Sequence, residues 1–207
     1  VGDILRREGA TVVVADIDAA GLSALHPDVD ARQVDITDDD ALTRLVDGIV
    51  DAHGRLHIVV NLAATYLDEG ADTSRADWLR ALDVNLVSAV RVVAIARPHL
   101  AAHGNGAVIN ITSISSSVAQ TGRWVYPVSK AALVQLTRSQ AMDLAGDGIR
   151  GNSVSPGWTW SNVIEAVSEG NLEHADSVAA NFHMLGRLGR PEDVGEVVAF
   201  LASDRAA

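Results

Sequence analysis

Short apolar runs rich in β-branched residues alternate with longer stretches of helical periodicity along this chain. The strand-like runs cover residues 11–15, 57–60, 107–111 and 149–154, with a weaker run at 32–34. The helix-like stretches cover about 38–53, 75–101, 125–145 and 191–203. Strands that alternate with helices predict a parallel sheet with crossover helices. Because the apolar runs are continuous, we expect both faces of the sheet to be covered, as in a doubly wound α/β domain.

The α/β pattern is incomplete at both ends of the chain. Residues 1–9 are typical of the second half of a helix that closes at Gly9, with nothing before them to begin it. Residues 204–207 follow the last predicted helix at the point where an α/β chain returns to its sheet. We therefore expect a first and a last strand to be missing from this chain. We interpret residues 1–207 as a single domain, since no repeat or linker interrupts them.

Composition and charge narrow the classes of protein that this sequence could encode. The 27 acidic residues against 16 basic ones give a net charge of −11, which argues against nucleic acid or an anionic membrane as a partner. The absence of cysteine excludes disulfides, thiolate metal sites and a cysteine nucleophile. The histidines are scattered, so we expect no metal site. No apolar run approaches the roughly 18–20 residues that cross a bilayer, and we expect a cytoplasmic protein.

One pair of residues stands out for its chemistry. Lys130 is the only lysine in the chain, and it follows Tyr126, one of only two tyrosines, by four positions. On a helix this spacing puts the phenol and the ammonium on one face. A neighbouring cation lowers the pKa of a phenol from about 10, which would make Tyr126 usable as a general acid or base.

Further polar and small residues follow the ends of the predicted strands, where open α/β sheets bind their ligands. Ser113 comes just after the run 107–111, and the turn Pro156-Gly157 follows the run 149–154. The run 57–60 leads into small residues that would let a ligand approach the backbone. Asn85 lies inside a predicted helix, where an amide side chain is mildly unfavourable.

In this order and at this spacing, these residues resemble the motifs of the classical short-chain dehydrogenase/reductase family. The resemblance runs over nearly the whole chain, and five ordered matches are far more specific than a single motif. The matching positions are Asn61-Leu62-Ala63-Ala64 for the N-N-A-G motif, Asn85 for the helix asparagine, Ser113 for the serine, Tyr126 and Lys130 for Y-x-x-x-K, and Pro156-Gly157 for P-G.

The resemblance implies a Rossmann-like NAD(P)-binding domain that interconverts a secondary alcohol and a ketone. Tyr126 would exchange a proton with the substrate oxygen, and Ser113 would hydrogen-bond the same oxygen. Lys130 would hold down the pKa of Tyr126 and bind the nicotinamide ribose, while Asn85 would position a water that leads protons to the lysine. The hydride belongs to the cofactor.

The resemblance also implies where the cofactor binds. Asp16 ends a strand where an acid accepts hydrogen bonds from the adenosine ribose and repels a 2′-phosphate, so NAD(H) is favoured over NADP(H). Alternatively, Asp16 merely caps the next helix. The other expected cofactor contacts are Asp35 and Ile36 at the adenine, Asn61 and Ala63 at a strand end, Tyr126, Lys130, Pro156, Gly157, and Ser161 at the carboxamide.

One family motif is absent from the sequence. The family has a T-G-x-x-x-G-x-G turn after its first strand, and counting back about 20 residues from the ribose acid places that turn just before Val1. We therefore expect that the turn precedes Val1 in the full-length protein. A molecule that truly began at Val1 would lack the pyrophosphate cradle, and we predict that it would bind no dinucleotide.

Residues 158–190 fall where the family has its variable substrate lid. Aromatic residues in and near this stretch suit an apolar or aromatic ketone or alcohol, and they could equally pack the lid onto the core or form a subunit interface. The candidate substrate contacts are Ser115, Trp124, Trp158 and Trp160. Family members usually form tetramers through two long helices, here about 75–101 and 125–145, so we expect a homotetramer.

Three hypotheses about function remain open. The first is an NAD(H)-dependent oxidoreductase, for which all four catalytic positions are intact. The second is a catalytically silent member that binds a dinucleotide or a partner as a sensor or scaffold. Leu62 and Ala64, which replace the usual Asn and Gly, give it some support. The third, an epimerase or dehydratase of the extended branch, is disfavoured by the short region after Pro156.

Overall fold

Five parallel strands carry the fold in the computed structural model, which describes residues 1–207. The strands are β1 (Val13–Asp16), β2 (Asp30–Gln33), β3 (Ile58–Asn61), β4 (Gly106–Ile111) and β5 (Ile149–Val154). β1 pairs with β2, and β4 pairs with β3 on one side and β5 on the other. Among residues 1–207, no strand hydrogen-bonds to both β1 and β3, so the five strands form one pair and one group of three.

Nine α-helices connect and cover the strands. They are α1 (Gly2–Arg7), α2 (Ala19–Ser23), α3 (Asp39–His53), α4 (Arg75–Leu82), α5 (Ser88–Ala101), α6 (Val125–Leu144), α7 (Asn162–Val167), α8 (Leu172–Ala179) and α9 (Pro191–Ala202). The predicted helix 75–101 contains a π-helical turn, Asp83–Val87, which joins α4 to α5. None of the helices combines the length and apolar character needed to span a membrane.

The buried strand β4 is the centre of the core. Its six residues all lie below one-tenth exposure, as a strand covered on both faces requires. Val108 packs with Val93 and Leu100 of α5 on one side of the sheet. Ile109 packs with Val198 of α9 on the opposite side. The prediction of a doubly wound α/β architecture with helices on both faces is confirmed.

The connection from β5 to α9 forms a small unit of its own at the carboxyl edge of the sheet. It contains α7 and α8 and has a separate apolar cluster of Ala175, Ala179 and Leu188. Two ion pairs tie this unit to the beginning of α9. Arg190 pairs with Asp176 at 2.5 Å, and Arg187 pairs with Asp193 at 2.8 Å.

Candidate active site

Tyr126 lies in the first turn of α6, and the beginning of that helix is held by a residue far away in the sequence. Trp124 at the N-cap position has no side-chain acceptor for the free N–H groups. The carboxylate of Asp68 accepts hydrogen bonds from the backbone N–H groups of Trp124 at 2.9 Å and Tyr126 at 2.8 Å. An anion at a helix N-terminus satisfies orphan donors and interacts favourably with the helix dipole. Asp68 therefore fixes the backbone of Tyr126.

Lys130 is the most deeply buried charged residue near Tyr126. Its side chain is 2% exposed, and Nζ donates a hydrogen bond of 2.7 Å to the carbonyl of Ile111 at the end of β4. Nζ lies 5.7 Å from the centroid of the Tyr126 ring. Burial lowers the pKa of Lys130 to about 8, because a buried site disfavours the charged form. The structure thus brings the predicted pair together.

The pKa of Tyr126 is shifted in the direction opposite to the sequence prediction. Burial raises it above the ordinary value, the nearby hydroxyl of Tyr66 raises it further, and the hydroxyl of Ser113 opposes the rise. Lys130 does not lower this pKa in the structure, and its Nζ is engaged with a carbonyl instead. The tyrosine is therefore held in its protonated form at neutral pH.

Ser113 follows the end of β4, and its side chain lies beside Tyr126. Its backbone is extended, and its hydroxyl lies near that of Tyr126. Its Oγ donates a hydrogen bond of 3.1 Å to the Oγ of Ser115, which is also buried. The arrangement puts three hydroxyl groups at the carboxyl edge of the sheet, where open α/β sheets bind ligands.

Asn85 sits in the π-helical turn between α4 and α5, and its amide is fully used. Oδ1 accepts a hydrogen bond from the backbone N–H of Thr65 at 2.7 Å, and Nδ2 donates to the Thr65 carbonyl at 3.0 Å. Nδ2 also donates to the hydroxyl of Ser129 at 3.1 Å. π-helical turns are frequent at functional sites. Here the turn delivers an amide that pairs with the backbone after β3, four residues beyond Asn61.

The residues predicted to bind a cofactor line the same edge on the side of β1 and β2. Asp16 is exposed at the end of β1, and its Oδ1 accepts a hydrogen bond of 3.0 Å from the N–H of Asp18. Asp35 is exposed after β2, and the N–H and hydroxyl of Thr37 lower its pKa. Ile36 beside it is half-buried.

The predicted contacts after β3 and β5 are small or polar. Ala63 is exposed, while Asn61 donates a hydrogen bond of 2.8 Å to Asn110 in the neighbouring strand. The carbonyl of Pro156 accepts from the N–H of Ile114. A Cβ added at Gly157 would lie 3.0 Å from Nε2 of His183, so a larger residue would crowd that ring. Ser161 is exposed at the beginning of α7.

The three tryptophans expected to contact the substrate lie in different surroundings. Trp124 is 54% exposed beside Tyr126. Trp158 is partly exposed and packs its ring against Phe182 and His183. Trp160 packs against the apolar cluster beneath α8, which favours the packing interpretation for this residue.

Sequence reasoning missed two residues that the structure brings to Tyr126. Tyr66 stacks on the Tyr126 ring, with centroids 4.8 Å apart and planes inclined by 24°. Asp68 holds the helix start. The signal for Tyr66 was present in the composition, since it is the only other tyrosine in the chain. Nothing in the local sequence marks Asp68 as the residue that holds α6, because its partners there, Trp124 and Tyr126, lie more than 50 positions away.

Known proteins resemble this chain over its whole length. The family model described as enoyl-(acyl carrier protein) reductase matches residues 2–207. The 3-oxoacyl-[acyl-carrier-protein] reductase FabG of Thermotoga maritima is 31% identical, over 99% of this chain and 85% of its own length. The 2-keto-3-deoxy-L-fuconate dehydrogenase of Xanthomonas campestris pv. campestris is 33% identical, over 97% of this chain and 68% of its own length.

Solved structures of dehydrogenases share the fold of this chain. The aldohexose dehydrogenase of Thermoplasma acidophilum superimposes with a TM-score of 0.89 at 28% identity, covering 98% of this chain and 82% of that one. A family model that spans nearly all residues, together with relatives of this identity and coverage, assigns the family. The chain belongs to the classical short-chain dehydrogenase/reductase family.

Proposed function

We propose that this protein is an NAD(H)-dependent oxidoreductase that interconverts a secondary alcohol and a ketone, with Tyr126 as the general acid and base. The observation that carries the proposal is the convergence of Tyr126, Ser113 and the buried Lys130 at the carboxyl edge of β4. The names of the relatives, which are dehydrogenases and reductases, support it.

The donor and acceptor groups at the site fit a nicotinamide dinucleotide. The ammonium of Lys130 has three N–H donors, and one of them is used, by the carbonyl of Ile111. The carboxylate of Asp16 keeps one oxygen without an internal partner. These groups suit ribose hydroxyls. The other residues that would hold the cofactor are Asp35, Ile36, Asn61, Ala63, Tyr126, Pro156, Gly157 and Ser161.

Charge near Asp16 supports NAD(H) over NADP(H). No arginine or lysine occurs between Asp16 and Arg32, and the Arg32 guanidinium is paired with Asp30 at 2.7 Å. A 2′-phosphate would therefore meet the Asp16 carboxylate without a cation to offset it.

The state of Tyr126 suggests how the proton moves. When bound, the nicotinamide supplies or accepts the hydride. In the reduction of a ketone, Tyr126 Oη donates its proton to the substrate oxygen, while the hydroxyl of Ser113 stabilises the charge on that oxygen. In the oxidation of an alcohol, Tyr126 must first lose its proton. Because burial raises its pKa, oxidation should speed up as pH rises, whereas reduction is served at neutral pH.

The remaining roles follow from position. The resemblance implies that Asn85 positions a water, but both ends of its amide are engaged by the Thr65 backbone, so its role here is to hold that backbone beside the site. Residues 1–207 form one NAD(P)-binding domain, and residues 158–190 border the substrate. The partner is a small alcohol or ketone, and the enzyme works in the cytoplasm as a homo-oligomer, a tetramer by its resemblance to the family.

A second candidate function is a silent member that binds a dinucleotide without turnover. Leu62 and Ala64, in place of Asn and Gly, favour it, because Leu62 exposes 52% of its surface next to the proposed cofactor bed. The four intact catalytic positions favour the enzyme.

The test uses protein of verified full length and follows NADH absorbance over a panel of secondary alcohols and ketones, with cofactor binding measured by calorimetry. Wild type should interconvert at least one alcohol and its ketone. The kcat of Tyr126→Phe should be roughly a hundred- to ten-thousand-fold lower, while the variant still binds NADH. Undiminished activity of the variant would refute the tyrosine mechanism. NADH binding by wild type without any turnover would establish the silent alternative.

A further inference from the structure

His183 uses its two ring nitrogens to join two parts of the chain. Its Nε2 accepts a hydrogen bond of 3.1 Å from the backbone N–H of Trp158, in the turn that follows β5. Its Nδ1 lies 3.1 Å from the carbonyl oxygen of Ala179, the last residue of α8. The imidazole therefore connects α8 to the turn that contains the proposed cofactor contacts Pro156 and Gly157.

These two contacts determine which ring nitrogen of His183 carries the proton. A carbonyl oxygen can only accept a hydrogen bond, so Nδ1 donates to Ala179, and a backbone N–H can only donate, so Nε2 accepts from Trp158. Neutral imidazole has one donor and one acceptor, whereas the protonated ring has two donors. His183 is therefore neutral in this structure, with its proton on Nδ1.

The turn after β5 packs closely against the imidazole. A Cβ added at Gly157 would lie 3.0 Å from Nε2, so the approach depends on the absence of a side chain there. The Trp158 ring packs on the imidazole with a centroid distance of 5.8 Å and on Phe182 at 5.2 Å. The Trp158 carbonyl accepts the N–H of Gly189 at 2.9 Å. Both backbone polar groups of Trp158 are thus held by residues that follow α8.

The other end of the connection lies in a packed region. Ala179 is fully buried and belongs to the apolar cluster that also contains Ala175 and Leu188. The ion pair of Asp176 with Arg190 ties this cluster to the beginning of α9. A hydrogen bond to the Ala179 carbonyl therefore fixes the turn against the core of the small unit that contains α7 and α8.

We propose that His183 is a positioning residue that holds the turn Pro156-Gly157-Trp158 in the conformation that binds the cofactor. A turn that is already ordered loses less conformational freedom on binding, so the affinity for the dinucleotide is higher. The catalytic hydroxyls and Lys130 lie on β4 and α6, so the effect of His183 falls on binding and not on the proton transfer. The inference rests on the proposed function, because it requires a dinucleotide at this turn.

Three variants of the full-length protein test this role, with the Kd for NADH measured by calorimetry. His183→Leu keeps an apolar side chain beside Trp158 and removes both ring nitrogens. Its Kd should rise roughly two- to tenfold, the effect of one hydrogen bond, while kcat at saturating NADH and ketone stays unchanged. His183→Gln retains a donor and an acceptor in one planar amide and should bind NADH nearly as wild type does.

The matched control is His26→Leu. His26 is exposed before the amino end of β2, and its Nδ1 also accepts a backbone N–H, that of Asp28 at 3.2 Å. Its removal should leave the Kd for NADH unchanged. Nitrogen-15 NMR of the histidine rings adds a test on wild type itself. The signals of His183, identified by their loss in His183→Gln, should show the proton on Nδ1.

The outcomes separate the role of His183 from the proposed function. A proton on Nε2, an unchanged Kd in His183→Leu, or a lower kcat at unchanged Kd would overturn the role of His183 and leave the enzyme standing. If wild type binds NADH without turnover, the oxidoreductase proposal falls, while the comparison of Kd values still decides the role of His183. A wild type that binds no NADH would overturn both.

Discussion

Lys130 keeps an ammonium group at 2% exposure, and this burial has a cost in stability. Its pKa falls from 10.5 to about 8 on folding, so below pH 8 both states carry the proton and the folded state bears the desolvation penalty. Between pH 8 and 10.5 the unfolded chain binds more protons than the folded one, so stability rises with pH. The shift corresponds to roughly 3 kcal/mol at neutral pH.

Lys130→Met should therefore abolish turnover and yet raise the free energy of unfolding at pH 7. We expect a gain of about 1–3 kcal/mol, because the unpaired Ile111 carbonyl offsets part of the relief. Urea unfolding at pH 7 and at pH 10 measures it, and the gain should shrink at the higher pH. Arg138→Met, an exposed change on the same helix, should stay within about 0.5 kcal/mol of wild type. A less stable Lys130→Met would show that the buried ammonium does not destabilise the folded state.

The proposed preference for NAD(H) depends on the carboxylate of Asp16 and can be tested by substituting it. Asp16→Ala removes both a partner of the ribose hydroxyls and the charge that repels a 2′-phosphate. The ratio of kcat/KM for NADP(H) to that for NAD(H) should rise roughly tenfold to a hundredfold, the effect of one hydrogen bond to a charged group. Asp51→Ala, an equal change of charge on the exposed face of α3, should leave the ratio unchanged. An unchanged ratio in Asp16→Ala would show that Asp16 does not determine the cofactor preference and only accepts the hydrogen bond from the Asp18 N–H.

At the scale of elements, the beginning of α6 depends on Asp68. Burial alone would raise the pKa of this carboxyl, but the N–H groups of Trp124, Tyr126 and Gly70 together lower it. Its stabilising effect is therefore present above the ordinary carboxyl pKa, near 4, and is lost as pH falls through the lowered value.

Asp68→Asn should lower the free energy of unfolding by about 1–3 kcal/mol at neutral pH, since buried donors lose a charged acceptor. It should also lower kcat more than it changes KM for NADH, because Tyr126 loses its backbone support. Chemical unfolding and steady-state kinetics give the two readouts. Asp72→Ala, an exposed acid in the same loop, serves as the control and should change neither. Equal stability of the two variants near pH 7 would mean that Asp68 does not hold the helix.

The sequence pattern was sufficient for elements whose signals are local. The apolar run at 107–111 forms β4. Pro191 begins α9, as expected because proline is favoured at the first helical position. The sequence pattern did not predict structural features that depend on residues far away in the sequence. The π-helical turn at Asp83–Val87 has no local signature, and the raised pKa of Tyr126 comes from burial that no spacing of Tyr and Lys reveals.

At the scale of the whole molecule, the same distinction separates what could be predicted from what could not. Continuous apolar strands indicated a sheet covered on both faces, and β4 between α5 and α9 confirms it. The pairing of β1 with β2, and of β4 with β3 and β5, joins residues that are distant in the sequence, so the local pattern does not specify it. The region 158–190 could be delimited from the sequence, but its attachment through Asp176 and Arg190 required the fold.

Self-association is the last property that belongs to the molecule as a whole. Apolar side chains remain exposed on α4, the π-helical turn, α5 and α6, which contact one another; they are Leu79, Val87, Val90 and Val128. Exposed apolar residues are normal singly, whereas several on adjacent elements indicate an interface. Wild type should therefore sediment as a multiple of the mass of one full-length chain. Val90→Glu places a charge among these residues and should shift the assembly toward smaller species, while Leu25→Glu, at similar exposure elsewhere, should not. Circular dichroism checks that both variants fold. A monomeric wild type, or an assembly unchanged by Val90→Glu, would show that these exposed residues do not join the subunits.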